Sequence, residues 1–222
     1  MNNSLESTYR DIKATIPEKV TLVAVSKTKP ASLIQDLYDI DQRIFGENRV
    51  QELEEKHQAL PKDIQWHLIG HLQRNKVKYI APFVAMIHSI DSERLLDEVN
   101  LQAKKNNRKI KVLLQFYIAQ EETKFGFDLE EIKELFTRRS PETFDSIEFC
   151  GVMGMASFSD DKIQVRSEFQ NLKLIFHQLK STYFSNSSSF SEISMGMSGD
   201  YLMAIEEGST MVRVGSSLFS TR

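Results

Sequence analysis

The sequence predicts an α/β protein folded as a single (β/α)8 barrel of the TIM type, and three observations carry that expectation. Eight short apolar, β-branched runs recur along the 222 residues. Segments with apolar residues at helical spacing lie between most of them. After the first run, where an open doubly wound sheet would carry G-x-G-x-x-G, the chain reads Ser26-Lys27-Thr28. Strands that are apolar throughout and alternate with amphipathic helices belong to a parallel sheet buried on both faces. Eight such units close into a barrel somewhat shorter than the usual ~250 residues, so residues 1–222 are read as one domain.

Each element has a local reason. The first strand is expected at Val20–Ser26 (VTLVAVS), and Pro30 then opens a helix that buries Leu33, Ile34, Leu37 and Tyr38. The second and third strands fall at Arg43–Gly46 (RIFG) and Gln65–Gly70 (QWHLIG), the fourth at Val84–Ile90 (VAMIHSI). Asp91 precedes Ser92-Glu93-Arg94 and the face Leu95, Leu96, Val99, Leu101. Lys111–Ile118 (KVLLQFYI) and Ile147–Gly151 (IEFCG) are the fifth and sixth strands, and Phe169, Leu172, Ile175, Phe176 and Leu179 mark the helix that follows. The serine-rich stretch Ser181–Ser191 reads as a mobile surface loop before the seventh strand, Glu192–Gly196. Ser198 opens a helix through Leu202, Met203 and Ile205, and Thr210–Gly215 completes the set.

Bulk properties narrow the function classes. A net charge of −3 gives no basic surface for nucleic acid or an anionic membrane. One cysteine, Cys150, forbids an internal disulfide and suits a reducing compartment. The polar N-terminus lacks a signal-peptide core, and no apolar run nears the ~20 residues of a membrane span. The expectation is a cytosolic protein, and a monomer, because no long apolar strand edge stands out.

In such a barrel, chemistry lies where strands end. Lys27 follows the first strand, Glu47-Asn48-Arg49 the second, His71 the third, and His88, Ser89 and Asp91 the fourth. Thr123-Lys124-Phe125-Gly126 lies beyond the fifth, Met153 and Met155 follow the sixth, Ser198-Gly199 the seventh, and Gly215-Ser216 the eighth. Small-residue loops after strands seven and eight suit phosphate, because free backbone N–H groups and helix N-termini attract anions there. A lysine facing such a cradle suggests covalent attachment to a phosphorylated aldehyde, such as pyridoxal 5′-phosphate (PLP). A sugar-phosphate aldolase or isomerase using Lys27 remains open on the same residues.

Five motifs stand in order along the chain: AVSKTKP, FGENRVQE, WHLIGHLQRNK, KFGF and SMGMSGDYLMAIEEGSTMVRVGSSLF. In these the chain resembles the pyridoxal phosphate homeostasis protein family, the YggS-like relatives of the alanine racemase barrel domain, which are PLP-binding proteins of fold type III. The resemblance implies PLP held by Lys27 as the Schiff-base lysine. By the same resemblance Asn48 and His71 line the ring side, Ser198, Gly215 and Ser216 hold the phosphate, and Arg213 faces the pyridine nitrogen. Lys124 matches a lysine near the pocket mouth. GVMGM and the terminal FSTR depart from the family pattern without touching these positions. The implied role is to buffer PLP in vitamin B6 homeostasis or deliver it to apo PLP-dependent enzymes, with a weak amino-acid racemase as the alternative. The larger racemases complete their site with an extra β-domain and a dimer partner, and this sequence ends at Arg222.

Arg213 fits a carrier. Alone, an arginine between Val212 and Val214 reads as a structural ion-pair residue. Opposite a ring nitrogen it stays charged and can only donate, so the ring gains no proton and is a poorer electron sink. Tyr117 and Tyr201 read as packing or rim residues. His67 and His71 have helical metal-pair spacing, but on a strand they lie too far apart. Glu52, Glu54, Glu55 and Lys56 read as a solvated helix face, Met153, Met155, Met195 and Met197 as filling at the barrel mouth, and Cys150 as a small buried hydrophobe.

Overall fold

The computed structural model describes residues 3–119 and 125–219. A helix missing from the sequence expectation comes first. α1 (Asn3–Thr15) buries Leu5, Tyr9 and Ile12 along one stripe and packs against the helix that follows the first strand. Its charged residues hide an amphipathic pattern of four- and three-residue steps.

All eight expected strands form, and they close a parallel barrel in sequence order, with the first strand paired to the last. They are β1 (Thr21–Val25), β2 (Ile44–Glu47), β3 (Gln65–Leu68), β4 (Met86–Ile90), β5 (Ile110–Tyr117), β6 (Ile147–Met155), β7 (Glu192–Met197) and β8 (Met211–Val214). The helices outside it are α2 (Ala31–Tyr38), α3 (Val50–Ala59), α4 (Val77–Ile80), α5 (Glu93–Lys105), α6 (Leu129–Arg138), α7 (Lys162–Thr182) and α8 (Tyr201–Glu206). The larger apolar core fills the space between strands and helices, while Val23, Met86, Leu113, Cys150, Met153 and Met211 form a second cluster.

Several elements depart from expectation for identifiable reasons. β6 does not stop at Gly151; the glycine adopts φ 151° at a register shift against β5, and a Cβ there would meet the Glu192 carbonyl oxygen at 1.8 Å. It is bulge glycine rather than turn glycine. Met153 and Met195 are therefore buried strand residues, while Met155 and Met197 are the exposed pair at the mouth. His88 and Ser89 likewise lie buried inside β4 instead of following it. Leu101 is exposed, and the buried face of α5 continues through Ala103. The serine-rich stretch is not a mobile loop: α7 runs into it, and Phe184 and Phe190 are buried with their rings stacked 4.1 Å apart. Lys180 also donates to the Ser187 carbonyl. Among the described residues no helix is long and apolar enough to cross a membrane.

Candidate functional site

A cavity of about 650 Å³ opens at the C-terminal end of the strands, within the usual range for small-molecule sites. Lys27, Asn48, His71, Ser198, Arg213, Gly215 and Ser216 all line it. Parallel strands bring them together, since residues far apart in sequence end at the same rim. Thr123 and Lys124 lie outside the described residues.

Lys27 sits in a tight turn after β1, where the Lys29 N–H donates to the Ser26 carbonyl at 3.0 Å. At the end of the neighbouring strand β8, the N–H groups of Gly215 (3.1 Å) and Ser217 (3.3 Å) converge on the Ser198 hydroxyl oxygen. Two amides converging on one acceptor oxygen have the geometry that an anion's oxygen would need in that place. Gly215 packs so tightly on β1 that a Cβ would lie 2.9 Å from the Val25 carbonyl oxygen, whereas a Cβ on Gly199 would meet nothing within 4 Å. The helix-terminus part of the expectation is corrected: α8 starts only at Tyr201 and spans six residues, so the cradle rests on individual amides rather than a helix dipole.

His71 is half-exposed at the rim, its Nδ1 3.0 Å from Asp91 Oδ2 and its ring centroid 5.1 Å from that of Phe125. Asn48 is packed against the next strand end, where a Cβ on Gly70 would lie 2.4 Å from the Asn48 carbonyl oxygen. The two loops thus hold each other in place.

Arg213 projects into the barrel and is 4% exposed. Its guanidinium donates to Ser194 Oγ at 2.6 Å and to the Gly154 carbonyl at 3.1 Å. Burial pushes its pKa down to about 10, against the opposing pull of Asp200, so it remains a cation near neutral pH. Among the described residues it forms no ion pair within 4.0 Å, which corrects the salt-bridge reading of this position. Below it a polar ladder continues: Ser194 Oγ lies 3.1 Å from His88 Nδ1, and His88 Nε2 lies 2.9 Å from His67 Nδ1. Burial holds His67 down to about 3 and His88 well below its ordinary value, so both rings are neutral.

His67 points into this ladder while His71 pairs with Asp91 at the rim; the described residues contain no cluster of potential metal ligands. The Tyr201 hydroxyl is spent on Thr15 at 2.9 Å. Burial and the neighbouring Glu148 push the Cys150 thiol up to about 12, Lys111 opposing, so it is inert as expected. The solvated-face reading fails at Lys56, which is 7% exposed and ion-paired to both Glu47 and Glu52, while Glu55 is exposed and Glu54 partly so. Gln115 and Asp200 also line the cavity without having been singled out. Gln115 carried a signal, as a lone polar residue within the apolar run of β5.

Fold and rim together define a barrel that presents a lysine and an amide cradle to one small-molecule cavity. The chain belongs to the family described as the alanine racemase N-terminal domain, which matches residues 2–222, and within it to the pyridoxal phosphate homeostasis proteins. The protein of that name from Aquifex aeolicus is 40% identical over 204 residues, covering 90% of this chain and 86% of that one. The human protein of that name is 38% identical over 225 residues, covering 96% and 79%. The structure of PipY from Synechococcus elongatus PCC7942, with PLP bound, superposes with a TM-score of 0.88 at 31% identity, covering 97% of this chain and all (100%) of PipY. An alanine racemase from Clostridium difficile 630 matches at TM-score 0.80 and 16% identity, covering 60% of the racemase, and this likeness concerns the fold.

Proposed function

We propose that this protein binds PLP in its rim cavity, holds it through Lys27, and buffers or delivers it in vitamin B6 homeostasis without strong catalytic turnover. The observation that carries the reading is that a lysine and a two-amide cradle, at the ends of the neighbouring strands β1 and β8, line one cavity. That donor set fits a phosphorylated aldehyde: an amine for the carbonyl carbon, and N–H groups beside a glycine backbone for the phosphate. The bound PLP of PipY supports the same choice.

When bound, PLP supplies an aldehyde that the lysine amine attaches to covalently. The residues of the chain do the rest. Gly215, Ser216, Ser198 and the Ser217 amide bind and orient the phosphate, and Asn48 and His71 flank the ring. Arg213, clamped by Ser194 and Gly154, offers the ring nitrogen a hydrogen bond while keeping its own proton. It thereby withholds the ring proton that amino-acid chemistry requires, which supports a carrier over an enzyme. On this reading the protein acts in the cytosol as a monomer and hands PLP to apo-enzymes.

The test is to mix purified protein with PLP, remove free ligand by gel filtration, and record the visible spectrum and deuterium exchange into alanine. Retained visible absorption with exchange at background is the expected result. Loss of all absorption on filtration contradicts the binding claim, and rapid α-proton exchange contradicts the carrier claim.

A further inference from the structure

The turn that carries Lys27 is held by a buried charge cluster that faces away from the cavity. β2 ends on Glu47, which is fully buried, and one helical turn apart on α3 stand Glu52 and Lys56. The Lys56 ammonium donates to Glu47 Oε1 at 2.7 Å, to Glu52 Oε1 at 2.6 Å and to the Ser26 carbonyl at 2.7 Å. All three ammonium protons are thereby used. Two further bonds reach the turn. The Ser26 hydroxyl donates to Glu47 Oε1 at 2.6 Å, and the Thr28 N–H donates to Glu52 Oε1 at 2.6 Å.

The pattern brackets Lys27 on both sides. Ser26 is tied through side chain and carbonyl, Thr28 through its amide, and Lys27 lies between them with its side chain at the cavity. Thr28 adopts φ 63°, a left-handed conformation that a β-branched residue avoids. At the third position of a turn this conformation suits glycine or asparagine. Such backbone persists only where surroundings over-determine it, and here the carboxylate of Glu52 accepts the Thr28 N–H. Burying the Glu47 carboxylate and the Lys56 ammonium, with Glu52 partly exposed beside them, is a costly way to stabilise a helix. It is an effective way to fix a loop.

We infer that Lys56, held between Glu47 and Glu52, is a positioning residue that fixes the Lys27 turn and so sets how fast and how selectively the Lys27 amine attaches to an aldehyde. The inference rests on Lys27 being the attachment point. In that step the neutral Nζ lone pair forms the new carbon–nitrogen bond, and the aldehyde oxygen leaves as water with the two amine hydrogens. A misdirected turn slows this step and lets Lys29, which lines the same cavity, compete.

The experiment compares the parent with Glu52→Ala, Glu52→Gln and Lys56→Met. Glu52→Gln keeps an acceptor oxygen for Thr28, and Glu52 is partly exposed, so both Glu52 variants can be read even if Lys56→Met does not fold. In cofactor-free protein, the Thr28 amide should exchange with solvent deuterium at least about tenfold faster in Glu52→Ala than in the parent or Glu52→Gln. The PLP attachment rate should fall about tenfold to a hundredfold in Glu52→Ala and Lys56→Met, with part of a borohydride-fixed label moving to Lys29. Glu52→Gln should stay near the parent. Parent-like rates and labelling wholly on Lys27 in Glu52→Ala overturn the inference. A parent that carries no label on Lys27 overturns instead the reading on which it rests, and the inference with it.

Discussion

Arg213 separates a carrier from an enzyme at the scale of one side chain. It is held by Ser194 Oγ and the Gly154 carbonyl and stays protonated at pH 7. Arg213→Glu replaces a permanent donor with a group that can hold a proton on the ring. The variant should lose roughly 3–5 kcal/mol of stability, as a buried charge loses its partners, yet gain α-proton exchange with added alanine. A folded, PLP-loaded variant that exchanges no faster than the parent contradicts this role. Ser198 is a smaller lever. Its oxygen now accepts the Gly215 and Ser217 amides, so alanine removes a hydroxyl but leaves both amides. Equilibrium dialysis should show retention of PLP weakened about tenfold, with the absorption maximum unmoved. Lys27, Asn48, His71 and Ser216 were legible because they directly follow apolar runs, where a barrel places its rim. Lys56 was not. Its spacing from Glu52 is that of an exposed helical pair, and only the end of β2, reached through tertiary packing, shows that it is buried.

At the scale of elements, the strands were legible because a two-faced buried strand leaves an unbroken β-branched run, and tertiary packing had no competing pattern to overrule. What sequence could not show is where glycine ends a strand and where it bends one. Gly151→Ala should not merely weaken a turn: the added Cβ would strike the Glu192 carbonyl, so the β6–β7 pairing must shift. The stretch after α7 misled through composition, since its serines mask Phe184 and Phe190. Phe190 is fully buried between Phe176 and Phe184. Phe190→Ala should cost about 3–5 kcal/mol in urea unfolding. A mobile loop would tolerate the change with almost no loss.

At the scale of the whole molecule, the barrel interior carries a pH dependence. His67 and His88 are neutral in the fold, with pKa values held below the ordinary 6.5 by burial. Below pH ~6.5 the unfolded chain therefore binds more protons than the folded one. Stability should fall with pH by up to about 1.4 kcal/mol per unit for each histidine. Glu47, raised by burial, works the other way over its own window above 4.5. Urea midpoints compared at pH 7.5 and 5.5 should show the net loss, and a flat profile would mean the two rings are not buried neutral. The ladder they form ends at Arg213, so the interior and the cavity are one structure. The account as a whole depends on where PLP attaches. Borohydride reduction of the PLP-loaded protein, followed by peptide mapping, reads this directly. The pyridoxyl mass should appear on the peptide containing Lys27 and vanish in Lys27→Ala; a label carried mainly by another lysine, or undiminished in Lys27→Ala, contradicts the account.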